Sequence, residues 1–314
     1  MTHLVLDVLS RVWPFFLLVG AGVALVRLRL LDGRMTQGLS AYVYWVGFPA
    51  LLIHSLSRLG RPSHDLILGL VAYACIGLLL MAATVAAGRT LGWNRAERAG
   101  AGMASGVGNS AFLALPVTAS VLGAEAARLA AGVVAIDFAV LATAGVGLLG
   151  WAAGRSVWRS TVQAFHNPVV VAALGGVALA LLDIALPEPL DRAVGMAAFS
   201  GSPVGLVALG AALGLSEADN EAAPATAPVV LATLVKLAAF PLLVWLAVGL
   251  TPAPPLFRAG ATLLAAAPTA VNVFIQTRAY GVWPRGAARI VALTTALSAI
   301  TLSVVALLLT ARVS

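Results

Sequence analysis

Long apolar runs separated by short polar segments form the main pattern along the chain. The stretches 66–88, 193–216 and 290–311 carry no charged side chain. A helix crosses the hydrocarbon core of a bilayer with about 20 mostly apolar residues, so each stretch is long enough to span a membrane. Over the whole chain the pattern predicts an all-α membrane protein with ten spans, near residues 4–26, 37–57, 66–88, 99–122, 128–150, 168–186, 192–214, 225–249, 259–280 and 288–311.

The composition agrees with this interpretation. Of the 314 residues, 61% are hydrophobic and only 10% are charged, whereas soluble domains are about 25% charged. The composition excludes a soluble globular protein and a disordered chain, and no long polar segment remains for a domain outside the membrane. The net charge of +7 indicates basic cytoplasmic loops rather than nucleic-acid binding.

The distribution of arginine predicts the orientation. An even number of spans places both termini on one side. If that side is the exterior, the cytoplasmic loops hold eleven arginines and the outer segments seven, as the positive-inside rule requires. The acidic loop 215–223 does not fit this pattern, but acidic residues weigh little in the rule. We therefore expect both termini outside. We also expect the first apolar segment to be a retained helix rather than a signal peptide.

Prolines within the spans indicate an internal repeat. Three pairs are separated by nearly equal offsets and occupy the same ordinal span of each half: Pro14 with Pro168, Pro49 with Pro203, and Pro116 with Pro268. The chain is thus predicted to contain two five-helix repeats, 1–150 and 168–314, joined by a short cytoplasmic linker, 151–167. Because five is odd, the second repeat is inverted, and inverted repeats are typical of secondary transporters. The alternative is a set of unrelated helix kinks.

Spans four and nine combine polar amides with prolines in the middle of the membrane. Span four contains Asn109 seven residues before Pro116, and span nine contains Pro268, Asn272 and Gln276. This combination is typical of discontinuous helices, whose freed backbone groups and half-helix ends can bind an ion or anion. Alternatively, the amides only bond neighbouring helices.

Two ionisable residues lie deep in spans: Asp137 in span five and Lys236 in span eight. A charge there costs about 2.5–3.5 kcal/mol on insertion scales, which makes both residues functional candidates. Asp137 could bind a proton or cation, and Lys236 could replace a cation or hold a carboxylate. Alternatively, the two residues form a pair that only stabilises the bundle.

The sequence resembles a bacterial member of the auxin efflux carrier family, which includes malate and malonate permeases and is related to plant PIN-type auxin carriers. The resemblance covers nearly the whole chain. It rests on the motifs FPALLIHSL (48–56), GNSAFLALP (108–116), NPVVVAALGG (167–176), SPVGLVALGAAL (202–213), KLAAFP (236–241) and APTAVNVFI (267–275).

The resemblance implies a ten-helix inverted-repeat fold like that of the sodium/bile acid symporters, in which spans four and nine cross at their prolines. The residues implied to bind substrate at this crossing are Asn109, Ser110, Pro116, Pro268, Thr269, Asn272 and Gln276. Spans one, two, six and seven would form a scaffold, with Pro49 and Pro203 facing a moving core of spans three, four, five, eight, nine and ten. Ala111 and Ala114 stand where the family often has glycine, which implies a tighter or differently shaped cleft.

These observations predict a secondary transporter that moves a small organic anion, a carboxylate or an auxin-like compound, by alternating access. A cation/proton antiporter using Asp137 is the first alternative, and a membrane-embedded enzyme is the second. The motifs of common hydrolases, nucleotide-binding proteins and metalloproteases are missing, so we expect no catalytic residue, metal or cofactor. The expected partners are the substrate anion and the lipid bilayer of a bacterial inner membrane. Proton or sodium coupling, transport direction and a homodimer stay open.

Overall fold

The computed structural model describes residues 2–58, 60–156, 162, 168–216 and 226–313, which fold almost entirely into helices. These residues form no β-strand, and they contain an isolated antiparallel bridge between Gly108 and Thr269. The prediction of an all-helical membrane protein is therefore confirmed. Seven stretches are long and apolar enough to cross a membrane: Leu6–Arg27, Gly33–Ser57, His64–Thr90, Ala124–Ala152, Glu188–Leu215, Thr226–Gly249 and Pro284–Thr310.

The described helices are numbered in chain order. In the first half they are α1 (Thr2–Arg27), α2 (Gly33–Tyr42), α3 (Phe48–Ser57), α4 (His64–Thr90), α5 (Arg95–Gly106), α6 (Leu115–Leu122), α7 (Ala124–Ile136) and α8 (Thr143–Ala152). In the second half they are α9 (Pro168–Leu181), α10 (Glu188–Ser216), α11 (Thr226–Leu234), α12 (Phe240–Gly249), α13 (Pro255–Ala265), α14 (Val271–Tyr280) and α15 (Pro284–Val313).

The seven candidate spans coincide with seven of the ten predicted ones. The remaining three predicted spans are shorter or interrupted helices. Predicted span six is the 14-residue helix α9. Predicted spans four and nine are each interrupted, between α5 and Ser110 and between α13 and α14. Most of the predicted linker 151–167 and most of the acidic loop 215–223 lie outside the described residues.

Four π-helical turns come directly before an α-helix of the same span: Val43–Gly47, Ser110–Ala114, Asp137–Ala142 and Val235–Ala239. Three of them come directly before a helix with proline at its second position, namely Pro49, Pro116 and Pro241. Proline lacks the N–H that would bond the preceding turn, and a widened turn accommodates that loss. Both deeply placed charges, Asp137 and Lys236, lie in such turns, which often occur at functional sites.

Glycines allow helices of the two halves to approach closely. A Cβ atom on Gly22 of α1 would lie 2.1 Å from the carbonyl oxygen of Val207 on α10. Between α2 and α3, a Cβ on Gly47 would lie 2.9 Å from the Cα of Gly201, also on α10. Without a hydrophobic force between helices in lipid, such small-residue contacts supply the packing energy. Helix α10 is thereby held against α1 and the α2–α3 span.

Candidate functional site

The two helix interruptions meet in space. Val107 and Ala270 have extended backbones, and neither position continues the helix before it. The amide of Asn109 donates a 2.8 Å hydrogen bond to the carbonyl oxygen of Pro268, and the amide of Ala270 donates a 3.1 Å bond to that of Val107. Backbone groups that the breaks remove from helical bonding thus satisfy each other in the membrane interior, where an unpaired group is costly.

Side chains reinforce this junction. The hydroxyl of Thr269 donates a 2.9 Å hydrogen bond to the carbonyl oxygen of Ala104, in the last turns of α5. The amide of Thr269 donates to the hydroxyl oxygen of Thr294 on α15 at 3.1 Å. Thr269 is buried, so its polar groups bind protein rather than the cavity described next.

A cavity of about 90 Å³ lies beside the junction. A single water needs roughly 10–15 Å³ of such space, so the cavity can hold several waters or a small ligand. Its walls come from the α2–α3 span, from α10, from both breaks and from the turn that begins at Asp137. The lining residues are Ser40, Val43, Tyr44, Phe48, Val107, Gly108, Asn109, Ala111, Phe112, Asp137, Phe138, Gly205, Ala208, Leu209, Ala270, Val271, Asn272 and Ile275.

The cavity lies at the N-terminal ends of the helical segments that resume after each break. Asn109 immediately precedes the Ser110–Leu122 segment, and Ala270 immediately precedes α14. The first N–H groups of a helix lack partners within it, and the macrodipole adds partial positive charge there. The N-terminal ends of these two helical segments and the side-chain amides of Asn109 and Asn272 therefore line the same cavity.

Asp137 is the charged residue in this lining. It is only 2% exposed, and its Oδ1 accepts a 2.8 Å hydrogen bond from the hydroxyl of Tyr73 on α4. Ser110 lies next to the carboxylate. Among the described residues, however, neither the Ser110 hydroxyl nor the Asp137 Oδ2 has a hydrogen-bond partner of normal geometry. An unsatisfied buried polar atom costs about 1–3 kcal/mol, and a proton, ion or ligand bound here would offset that cost.

Lys236 lies behind the junction and is completely buried. Its Nζ donates a 2.9 Å hydrogen bond to the carbonyl oxygen of Ala265, the last residue of α13. The same ammonium lies 4.5 Å from the ring centroid of Phe240. Lys236 and Asp137 interact electrostatically, although no direct salt bridge joins these two described side chains.

The structure distributes the predicted site residues over different positions. Asn109, Asn272 and Asp137 line the cavity. Outside the described lining are Ser110, Pro116, Pro268, Thr269, Gln276, Lys236, Pro49 and Pro203. Pro268 is buried, Gln276 and Pro49 are half-buried, and Pro203 is exposed.

Some residues of the site were not identified from the sequence. Tyr73 holds Asp137, and the only signal for it was a tyrosine in an otherwise apolar span. Phe48 and Phe112 stack with ring centroids 3.7 Å apart and form an aromatic wall. Gly108 brings the cavity wall close to Lys236, because a Cβ on it would lie 2.9 Å from Nζ.

Comparison with known proteins identifies the family. A family profile described as "Membrane transport protein" matches residues 7–306. A protein of Rhizobium meliloti (strain 1021) named "Putative malonate transporter" is 29% identical over 308 residues, which cover 95% of this chain and 94% of that protein. The resemblance drawn from the sequence motifs is therefore confirmed, and the chain belongs to the membrane transport proteins of the auxin efflux carrier family.

Proposed function

We propose that this transporter moves a small organic anion of the malonate class by alternating access. The observation that carries the proposal is the cavity at two helix breaks, where two helix N-terminal ends and the amides of Asn109 and Asn272 converge. Half-helix N-termini directed at an anionic group are a recurring device of secondary transporters. The relative named for malonate supports a carboxylate substrate.

The amides and helix ends have complementary tasks in this proposal. Carboxylate oxygens accept hydrogen bonds from the amide N–H groups of the two asparagines and from unpaired backbone N–H groups at the start of α14. The cavity volume of about 90 Å³, room for several waters by the same measure, is large enough for a compact dicarboxylate. The aromatic wall of Phe48 and Phe112 covers the apolar methylene part of such a substrate.

The position of the cavity between helix groups supports alternating access. One wall comes from the predicted scaffold, through Tyr44 on span two and Gly205 on span seven. The opposite wall comes from the predicted core, through Asn109, Asn272 and Asp137. We propose that the core spans move relative to spans one, two, six and seven, so that the site faces each side of the membrane in turn. Pro49 and Pro203 would shape the scaffold spans in this movement.

A second candidate, cation/proton antiport, is favoured by one specific observation. Asp137 is an acid that lines the cavity, and its Oδ2 has no hydrogen-bond partner of normal geometry among the described residues. An acid at this place attracts a cation and repels an anion unless a proton or another positive charge offsets it. Anion transport therefore requires Asp137 to be protonated or compensated, whereas antiport requires it to release and bind ions.

A counterflow assay distinguishes the two functions. Purified protein is reconstituted into liposomes loaded with unlabelled malonate, and uptake of labelled malonate is followed in comparison with protein-free liposomes. We expect uptake of labelled malonate, and we expect excess unlabelled malonate outside the liposomes to inhibit it. A Na⁺ gradient imposed on liposomes without internal malonate should not drive this uptake. Sodium-driven proton flux without malonate counterflow would overturn the proposal and support the antiporter.

A further inference from the structure

The buried ammonium of Lys236 lies next to Gly108, which lines the cavity, but Lys236 itself is not part of the described lining. It bonds the carbonyl oxygen of Ala265, and Ala265 ends α13, the helix that precedes the second break. The last carbonyl groups of a helix are unpaired within it and carry partial negative charge. In ion-coupled transporters, unwound backbone carbonyls and half-helix C-terminal ends are where the coupling cation is coordinated.

The surroundings of the ammonium match a site for a single positive charge. Besides the Ala265 carbonyl, it faces the ring of Phe240, whose centroid is 4.5 Å from Nζ. It also interacts with the carboxylate of Asp137, the acid whose Oδ2 lacks a partner among the described residues. Carbonyl and carboxylate oxygens are the ligands that hard cations prefer.

Gly108 makes room for this arrangement. A Cβ at position 108 would lie 2.9 Å from Nζ and 3.2 Å from Cε of Lys236, closer than ordinary packing allows. Lys236 itself is 0% exposed. The ammonium is therefore enclosed between Gly108 and the last carbonyl of α13, and a metal ion at that carbonyl would have to displace it.

We propose that the Lys236 ammonium is a tethered cation, fixed where a dissociable coupling cation would otherwise bind, and that the protein needs no Na⁺. The side chain supplies the positive charge that offsets Asp137 and the α13 carbonyls in every state of the transport cycle. The role in transport rests on the proposed function, whereas occupation of a cation site by Lys236 can be tested without any substrate.

The test measures Na⁺ binding to purified protein in detergent, by labelled Na⁺ and by the Tm in NaCl compared with choline chloride at equal ionic strength. The wild type should bind no Na⁺ and show equal Tm in both salts. Lys236→Ala removes the ammonium and opens its space. We expect this variant to have a lower Tm in choline chloride and to regain about 5 °C in saturating NaCl.

Three further variants sharpen the result. Lys236→Ser opens the same space and should behave like Lys236→Ala. Lys236→Met fills the space with an apolar chain of similar length and should show no Na⁺ response. Adding Asp137→Asn to Lys236→Ala removes the negative charge that interacts with the ammonium and should abolish the response.

Three outcomes overturn the proposal. The first is Na⁺ binding by the wild type. The other two are that neither Lys236→Ala nor Lys236→Ser responds to Na⁺, or that neither variant folds even in NaCl. In the transport assay, we expect the wild type to show equal malonate counterflow in choline medium and in sodium medium. If the sodium results hold while counterflow is absent, the inference about Lys236 stands and the proposed function fails.

Discussion

Two asparagines separated by 163 positions in the sequence line one cavity because each lies beside a helix break. Asn109 is 8% exposed, and its backbone amide already bonds Pro268. The backbone therefore holds the junction, and the side-chain amides are available for a ligand. Gln276, one turn beyond Asn272, lies outside the described cavity lining, so its replacement should affect transport less than that of Asn272.

We predict that Asn109→Ala and Asn272→Ala each reduce malonate counterflow at least tenfold while changing Tm by less than about 2 °C. An interhelical hydrogen bond in a membrane averages only about 0.6 kcal/mol, so losing one does little to folding. Counterflow and thermal unfolding of the purified variants provide the two measurements.

Gln37→Ala is the matched control, because Gln37 is an exposed amide on α2. It should keep both transport and stability. Normal transport by both asparagine variants would mean that the substrate binds elsewhere.

At the scale of the elements, close backbone contacts hold α10 against α1 and against the α2–α3 span. Gly22 on α1 meets Val207 on α10, and Gly47 meets Gly201. Where a helix must open, as at the two breaks, hydrogen bonds between strand-like backbone segments replace the helical ones. The close backbone contacts thus lie in predicted spans one, two and seven, whereas the two breaks lie in predicted spans four and nine.

We predict that Gly22→Ala lowers Tm by several degrees. Its new methyl group would lie 2.1 Å from the Val207 carbonyl oxygen and 2.8 Å from the Ala211 amide nitrogen, so α1 and α10 must separate. Overpacking of this kind typically costs about 1–3 kcal/mol. Thermal unfolding of the purified variant measures the effect.

The same helix offers the control. A Cβ on Gly20 meets nothing within 4 Å, and alanine is the better helix former by about 1 kcal/mol. Gly20→Ala should leave Tm unchanged or raise it slightly. Equal loss of stability in both variants would contradict the role given to the α1–α10 contact.

At the scale of the whole molecule, three contacts join connecting segments that are predicted to lie on the same side of the membrane. The guanidinium of Arg155 lies 4.9 Å from the Tyr280 ring centroid, and that of Arg98 lies 5.2 Å from the Trp151 ring centroid. All four residues are near segments predicted to be cytoplasmic. The Arg58–Asp191 ion pair, at 2.6 Å, joins two segments predicted to be outside.

We predict that both termini face the exterior. A reporter fused to the C-terminus, active only outside the cytoplasm, should be active, and a cytoplasmic reporter at the same place should be silent. The excess of arginine in loops such as those containing Arg95 and Arg155 is the physical reason. The reverse pattern would overturn either the orientation or the even number of spans.

The sequence alone determined the membrane environment, the helical class and the family. These properties depend on local composition, because a bilayer imposes the length and polarity of each span. A helix satisfies its own backbone hydrogen bonds within such a span. The sequence also marked Asn109, Asn272 and Asp137, since a polar residue in an apolar span is conspicuous. The ten-helix repeat and the division into scaffold and core stay predictions.

Only the tertiary structure decided which polar residues share a space. Thr269 was grouped with the asparagines by its position, yet its hydroxyl bonds Ala104 across the junction. Tyr73 donates a hydrogen bond to Asp137, and Gly108 lies against the ammonium of Lys236, although each pair is far apart in the sequence. Local patterns cannot reveal such pairs, because the contacts depend on how separate helices pack and where their broken ends meet, and these are properties of the whole fold.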